Sequence, residues 1–181
     1  MIKNCGQKIC SSVVTGQSNT KCGCDMIIGK KETKMLEIGT MTEYDADVAA
    51  TMGELLMDLS ENYDGAPISR EWIEDVIESS WHDVLLAIDE GEVVGMATVS
   101  VVMGPLIDRN EYLEDFVVSA KCQGKGVGSK LWEEILAWGR RKGCKKLEFT
   151  SSGKGKKQGA VEFYQSKGAE IRDTNAFSIE L

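Results

Sequence analysis

The sequence predicts an α/β fold whose sheet is mixed but mostly antiparallel. Two β-rich runs, at 84–88 and 93–102, are separated by four turn-forming residues, which is typical of an antiparallel hairpin. Further along, a helical run at 127–142 lies between β-type runs at 112–118 and 144–150. Because a helical crossover usually joins parallel strands, the sheet should contain both strand orientations.

The other elements carry signals of their own, and about four helices are expected in total. A helix at 45–60 has apolar residues at helical spacing and acidic residues in its first turn, where they suit the positive end of the helix dipole. Ser69 is a suitable N-cap for a second helix that runs through Ser79. The remaining elements are a first strand at 35–39, a last helix at about 157–167 and a final run at 176–181.

Length and composition indicate one folded domain with an extension. The 181 residues suit a single hydrophobic core, and 42% of them are hydrophobic. Residues 1–34 contain four cysteines without paired Cys-x-x-Cys spacing, so we expect a flexible Cys-containing extension before a domain at 35–181. No run approaches the ~20 apolar residues of a membrane span, and no secretory signal is evident, so a cytoplasmic location without a membrane partner is expected.

Charge is strongly segregated along the chain. Residues 35–117 hold 20 acidic and 2 basic side chains, whereas residues 118–168 hold 4 acidic and 12 basic ones, within a net charge of −8. The basic part would attract phosphates and the acidic part a cationic amine, unless both are ordinary solvated surfaces. So acidic a chain is not expected to bind nucleic acid.

The most informative segment is the glycine-rich turn Gln123-Gly124-Lys125-Gly126-Val127-Gly128, which lies between a strand and a helix. The first amides of a helix lack intrahelical partners and carry the positive end of the dipole, and glycines allow an anion close to the backbone. A pyrophosphate group fits this description. A P-loop requires Lys-Ser/Thr after the last glycine, and a dinucleotide fingerprint requires a third glycine or alanine, but Ser129-Lys130 and Ser129 stand at those places.

The same segment resembles the acetyl-coenzyme A signature of the GNAT superfamily of N-acetyltransferases, Gln/Arg-x-x-Gly-x-Gly/Ala. Gln123, Gly126 and Gly128 match its defined places, and a later helix carries Phe163-Tyr164 and Lys167-Gly168. The resemblance covers residues 35–181. It implies a single-domain GNAT-like fold in which the strand before the turn splays from its parallel neighbour.

The resemblance also implies roles for particular residues. Backbone groups of Phe116, Val117 and Val118 would pair with the pantetheine arm, and the turn from Gln123 to Ser129 would hold the pyrophosphate. Lys157 stands where many members carry an Asn that touches the cofactor. The full set of expected cofactor contacts is Phe116, Val117, Val118, Gln123, Gly124, Lys125, Gly126, Val127, Gly128, Ser129, Lys157 and Tyr164.

Three residues are candidates for the chemistry. Tyr164 matches the tyrosine that in many GNAT members protonates the coenzyme A thiolate, although its spacing also suits a core position. Glu114 and Asp115 are the candidate base or amine anchor. Because side chains alternate along a strand, only one of the two should face the amine. The single histidine, His82, is interpreted as a surface residue, and no metal site is expected.

These observations predict an N-acetyltransferase that transfers an acetyl group from acetyl-coenzyme A to a primary, cationic amine of a small molecule. Four alternatives remain open: acetylation of a protein N-terminus, acetylation of a protein lysine, acetylation of glucosamine 6-phosphate, and non-catalytic coenzyme A sensing. The phosphosugar is disfavoured because residues 35–117 offer only Arg70 and Arg109 as anion ligands. The protein is expected to be a monomer or a homodimer.

Overall fold

The structure, a computed structural model, describes residues 36–151 and 158–180. Within these ranges five strands and four α-helices form one α/β arrangement, with a short 3₁₀ turn at Ala120–Cys122. The elements are, in chain order, β1 Glu37–Thr40, α1 Ala46–Leu59, α2 Arg70–Glu78, β2 His82–Asp89, β3 Glu92–Gly104, β4 Asp108–Val118, α3 Val127–Arg141, β5 Leu147–Phe149 and α4 Gln158–Ser166.

The sheet has the strand order β1-β2-β3-β4-β5, and its pairs are antiparallel up to β4. The last pair, β4 with β5, is parallel and joins residues 111–113 to residues 147–149. The predicted mixed, mostly antiparallel sheet is therefore confirmed. Since α3 carries the chain from β4 to β5, the crossover is the element that makes this last pair parallel.

Local signals set the ends of several elements; the hairpin turn and the Ser69 cap were predicted, whereas Asp45 was predicted to lie inside its helix. Glu90 and Gly91 have φ values of 53° and 89° and join Asp89 to Glu92, a two-residue turn with the backbone that suits a hairpin. The Asp45 carboxylate accepts hydrogen bonds from the amides of Asp47 and Val48, so it caps α1. The Ser69 hydroxyl accepts from the amide of Trp72 at 3.2 Å and caps α2.

Two apolar clusters lie on opposite faces of the sheet. On one face α3 packs through Leu131, Ile135 and Trp138 onto the sheet. On the other face α1 and α2 pack through Met52 and Ile73.

The tight packing of α3 also encloses Glu111 of β4, which is 2% exposed and whose Oε1 has no hydrogen-bond partner among the described residues. Burial raises the pKa of Glu111 to about 8, although Arg140 and Arg141 partly oppose the shift.

Two predicted boundaries change in the structure. The strand predicted at 144–150 is confined to Leu147–Phe149, because Cys144 donates its amide to the carbonyl of Gly139 and so closes the end of α3. The final run forms no strand over 176–180, where Phe177 and Ile179 are 93% and 86% exposed. Alternation of apolar residues produces a strand only where a neighbouring strand accepts its hydrogen bonds, and none pairs with these residues.

Some expectations lie outside the described residues. They are the extension at 1–34, the domain start at 35, Lys157 and the end of the final run at 181, and they stay predictions. Among the residues that are described, none of the helices is both long and apolar enough to span a membrane.

Candidate active site

The parallel strands β4 and β5 separate halfway along β4. Their last paired residues are Leu113 and Phe149, yet β4 continues for five more residues to Val118 with β3 as its partner. One edge of β4 therefore presents backbone groups that no described strand pairs. Phe116, Val117 and Val118, the predicted pantetheine contacts, all lie on this segment.

A β-bulge interrupts β4 at its two carboxylates. Asp115 pairs with Thr98 and Leu113 pairs with Val99, so Glu114 is the extra residue between them. The side chains of Glu114 and Asp115 consequently line the same cavity, on the α2 side of the sheet. The expected alternation of these two side chains between opposite faces does not hold, because strict alternation requires a strand without a bulge.

In front of these carboxylates lie two neighbouring cavities, called here the small and the large lobe, which share the lining residues Trp72, Thr98 and Asp115. The small lobe measures about 340 Å³ and lies between α1, the following loop and the sheet; it is lined by Met52, Leu56, Tyr63, Pro67, Ile68, Ser69, Trp72, Met96, Thr98 and Asp115. The large lobe measures about 550 Å³ and is lined by Trp72, Asp75, Val76, Ser79, His82, Thr98, Glu114 and Asp115.

The loop that closes the small lobe is held against α1 by backbone. A Cβ on Gly53 would lie 2.2 Å from the carbonyl oxygen of Ala66, so only glycine allows this approach. The amide of Ile68 donates to the carbonyl of Ala49 at 3.1 Å, and the Tyr63 hydroxyl donates to the carbonyl of Ala66 at 2.7 Å. The cavity wall is therefore fixed by the protein's own hydrogen bonds.

The two carboxylates have different surroundings. Burial raises the pKa of Asp115; the neighbouring charge of Glu114 adds to the rise, and the Thr98 hydroxyl opposes it. That hydroxyl lies close to Asp115 without forming a well-aligned hydrogen bond. Glu114 is more exposed and accepts a hydrogen bond from the Ser100 hydroxyl at 2.8 Å. Asp115 is thus the more buried of the two carboxylates and has the raised pKa, whereas Glu114 is held in place by Ser100.

His82 belongs to this cavity, which the sequence did not predict. It is half-buried rather than a surface residue, and its Nδ1 lies 3.1 Å from the Ser79 hydroxyl. Ser79, the C-cap residue of α2, lies beside this side chain, and such a neighbour cannot be read from the strand pattern alone. Within the described ranges, no group of three or more His, Cys, Asp or Glu side chains is placed to hold a metal ion.

The glycine turn begins where β4 ends. Gly124 and Gly126 have φ values of 75° and 86°, and a Cβ on either would meet no atom within 4 Å. Gly126 is the N-cap of α3 and supplies no side-chain hydrogen bond, whereas Asp45 and Ser69 cap α1 and α2. The first amides of α3 therefore border open space, which suits an anion.

Other residues of the turn divide between core and surface. Val127 is buried, and Gly128 points towards Phe116 and Phe163, with contacts of 3.8 Å for an added Cβ, instead of open space. Gln123 donates its side-chain amide to the carbonyl of Val118 at 3.2 Å and so ties the turn to β4. Lys125 is exposed.

A lysine that the sequence did not assign to the site reaches the start of α3. The Lys167 ammonium donates to the Ser129 hydroxyl at 3.0 Å and lies 5.4 Å from the centre of the Phe163 ring. By contrast Lys130, on α3 itself, donates to the carbonyl of Leu36 at 3.2 Å. Since Lys167 is 38 residues away in the chain, only the packing of α4 against α3 brings its charge to the turn.

Tyr164 lies where β4 and β5 separate. Its ring centre is 4.6 Å from that of Phe149, the last residue of β5, and 6.1 Å from that of Phe116 on the unpaired part of β4. Burial raises its pKa, so the phenol keeps its proton. Its hydroxyl makes no hydrogen bond to the described residues. The Tyr164 ring therefore packs in an aromatic cluster, and its hydroxyl proton lies unbonded near the point where β4 and β5 separate.

A protein-family comparison decides the family. The model of the acetyltransferase (GNAT) family matches residues 50–169, about two thirds of the chain. The chain belongs to the GNAT acetyltransferase family. This membership covers both lobes of the cavity, the glycine turn and Tyr164. It makes the protein an N-acetyltransferase, as the sequence predicted, and the family uses acetyl-coenzyme A.

Solved structures agree with the GNAT fold. An aminoglycoside acetyltransferase from an uncultured soil metagenomic sample, in complex with trehalose, is 20% identical with a TM-score of 0.68; the match covers 81% of this chain and 97% of that one. An acetyltransferase from Trypanosoma brucei is 22% identical (TM-score 0.63, 81% and 100% covered). An aminoglycoside N-acetyltransferase in complex with coenzyme A is 18% identical (TM-score 0.62, 81% and 95% covered). No curated protein matches the chain.

Proposed function

We propose that this GNAT protein transfers the acetyl group of acetyl-coenzyme A to a primary amine of a small molecule. The observation that carries the proposal is the unpaired part of β4. It leads directly into an uncapped helix start, and its bulge directs two carboxylates into one cavity. A phosphate-bearing donor on one side of a strand and an amine on the other is the arrangement that such a transfer needs.

The residues present fit acetyl-coenzyme A as the donor. The space over Gly124 and Gly126 is free for a pyrophosphate, and the first amides of α3 lack side-chain caps. Backbone groups of Phe116 and Val117 on the unpaired edge are available to the pantetheine arm, whereas the carbonyl of Val118 accepts from the Gln123 side chain, and Lys167 adds a positive charge beside Ser129. When bound, acetyl-coenzyme A supplies an acetyl group activated as a thioester.

The protein's own side chains transfer the protons and orient the amine. Asp115 accepts a proton from the incoming ammonium group, since burial raises its pKa and so makes it a stronger base than an ordinary aspartate. Glu114, fixed by Ser100, orients the amine beside it. Tyr164 donates its proton to the departing sulfur at the point where the strands separate, and the second proton that the attacking nitrogen loses restores the phenol.

The alternatives are less well supported. Glucosamine 6-phosphate needs a cation in the acceptor cavity, but Arg70 is paired with Glu74 and Arg109 donates to the carbonyl of Lys142, and neither lines a lobe. A protein lysine or N-terminus remains a second candidate, because the cavity is open to the surface. A coenzyme A sensor would have no need of the paired carboxylates. A cytoplasmic location and a monomer or homodimer remain predictions.

Two measurements test the proposal. Saturating acetyl-coenzyme A should raise the melting temperature of the protein, because a ligand that binds only the folded state stabilises it. Thiol release should then accompany acetylation of at least one member of a panel of small amines, aminoglycosides and peptides. Binding without turnover on any acceptor would favour the sensor, and turnover on peptides alone would favour protein acetylation.

A further inference from the structure

The acceptor cavity combines an apolar lobe with an acidic one, and from this we infer the chemical class of the acceptor. We propose that it is an amphiphilic amine, in which a short linker joins a protonated amino group to an apolar, ring-sized body. This inference rests on the proposed function. It places the amino group in the large lobe at Asp115 and the apolar body in the small lobe.

Away from its junction with the large lobe, the small lobe offers few polar groups to a hydroxylated ligand. Its lining is dominated by Met52, Leu56 and Met96 with neighbouring apolar residues, and it shares Thr98 and Asp115 with the large lobe. Of its other polar side chains, the Tyr63 hydroxyl donates to the carbonyl of Ala66 and the Ser69 hydroxyl accepts from the amide of Trp72, which leaves each with only part of its hydrogen-bonding capacity. A sugar with several hydroxyls would lose more hydrogen bonds to water than these groups replace, which costs free energy, whereas an apolar ring would gain.

The large lobe has the opposite character. Asp75, Glu114 and Asp115 line it, and none of its lining residues is a lysine or an arginine. Ser79 contacts His82 and also accepts from the amide of Trp81, so its hydroxyl is occupied. The groups that remain are mainly acceptors of hydrogen bonds, which suits the three donors of an ammonium group.

An unpartnered group marks the junction between the lobes. Thr98 is 4% exposed, lines both lobes, and its hydroxyl has no hydrogen-bond partner among the described residues. A buried hydroxyl without a partner is costly, so a ligand that bonds to it is favoured. Trp72 also lines both lobes and is 39% exposed, an unusual position for so large an apolar ring. An amine at Thr98 and Asp115 with its apolar body against Trp72 would satisfy both features.

Binding of amines to the protein without acetyl-coenzyme A tests this class directly. We expect 2-phenylethylamine and tryptamine to bind, by titration calorimetry, at least about tenfold more tightly than glucosamine and kanamycin, the scale set by filling an apolar pocket. With acetyl-coenzyme A present, kcat/KM should follow the same order. Tighter binding of kanamycin, glucosamine or spermidine than of both arylalkylamines would overturn the inference.

A pair of variants locates the effect in the small lobe. Leu56→Ser makes its wall polar and should weaken 2-phenylethylamine binding by roughly tenfold. Leu59→Ser is the control, because Leu59 is also half-buried on α1 but does not line the cavity, and binding should stay within about twofold. Ile68→Ser replaces Leu56→Ser if that variant does not fold. Equal effects of cavity and control variants would refute the apolar lobe as the binding site.

The outcomes separate the two proposals. If the arylalkylamines bind as expected but no thiol is released with any amine, the transfer reaction is wrong while the acceptor class stands. If thiol is released with spermidine or kanamycin in preference to arylalkylamines, the reaction stands and the acceptor class is wrong.

Discussion

At the scale of single residues, the bulge in β4 places two adjacent carboxylates in one cavity but in different environments. Strand alternation would have sent Glu114 and Asp115 to opposite faces, and only the extra residue opposite Thr98 and Val99 places both in the cavity. Their environments then differ, because Asp115 is the more buried and Glu114 is held by Ser100. We therefore propose an acid-base role for Asp115 and a positioning role for Glu114.

Asp115→Asn should lower kcat/KM by about 10² or more, the usual scale for a lost proton acceptor. In the wild type, activity requires the charged carboxylate, so it should fall as pH drops through the raised pKa of Asp115, above the usual range for an aspartate. The acidic limb of the pH–rate profile should vanish in the variant. Glu114→Gln is the comparison: it should raise KM and keep the limb. An unchanged limb in Asp115→Asn would assign the base to another group.

Tyr164→Phe separates an acid from a packing residue. The ring contacts with Phe149 and Trp132 are retained, so the free energy of unfolding should change by less than about 1.5 kcal/mol. If the hydroxyl donates the proton, the turnover rate should fall by about 10² while the affinity for acetyl-coenzyme A is kept. Phe163→Leu, in the same cluster, serves as a control for packing. A rate within a few-fold of wild type, with chemistry limiting, would leave Tyr164 a packing role only.

At the scale of elements, the sequence predicted those features that local chemistry determines. The hairpin turn, the cap at Ser69 and the glycine turn before α3 were all visible, because each depends on residues close together in the chain. The bulge at Glu114 and the arrival of Lys167 at Ser129 were not visible. Both depend on which distant residue lies opposite, and a single sequence does not encode that pairing in any local pattern.

Gly126→Glu tests the glycine turn as the phosphate site. It puts a carboxylate into the open space at the start of α3 and should weaken acetyl-coenzyme A binding by at least about tenfold, through charge repulsion and loss of the left-handed backbone. Gly143→Glu is the matched control, since Gly143 has a similar φ of 77° but lies at the other end of α3. Isothermal titration of both folded variants measures the difference. Equal affinities would move the phosphate site elsewhere.

At the scale of the whole molecule, the buried carboxyl of Glu111 links stability to pH. Its pKa is raised to about 8, so the folded protein keeps a proton that the unfolded chain releases above its ordinary value near 4.5. Between these two values the free energy of unfolding should therefore decrease as pH rises, by up to about 1.4 kcal/mol per pH unit from this group. Below that window both states hold the proton, and above it both release it.

Glu111→Gln removes this titration while keeping the shape of the side chain. Relative to wild type, the variant should gain stability progressively from pH 5 to pH 8, and the difference should level off above pH 8. Urea unfolding at each pH gives the free energies. Glu133→Gln, an exposed carboxylate on α3, controls for the loss of one charge. A constant difference between Glu111→Gln and wild type across the range would contradict the raised pKa.

The contact between Gly53 and the carbonyl of Ala66 bears on the rates at which the acceptor would bind and dissociate. Because backbone rests directly on backbone there, we expect this part of the small-lobe wall to move little when a ligand enters or leaves. Entry should then be governed by diffusion and orientation and vary little among related amines, so acceptors would differ mainly in residence time. Selectivity among amines would then lie in the dissociation rate, and the preferred amine would dissociate most slowly.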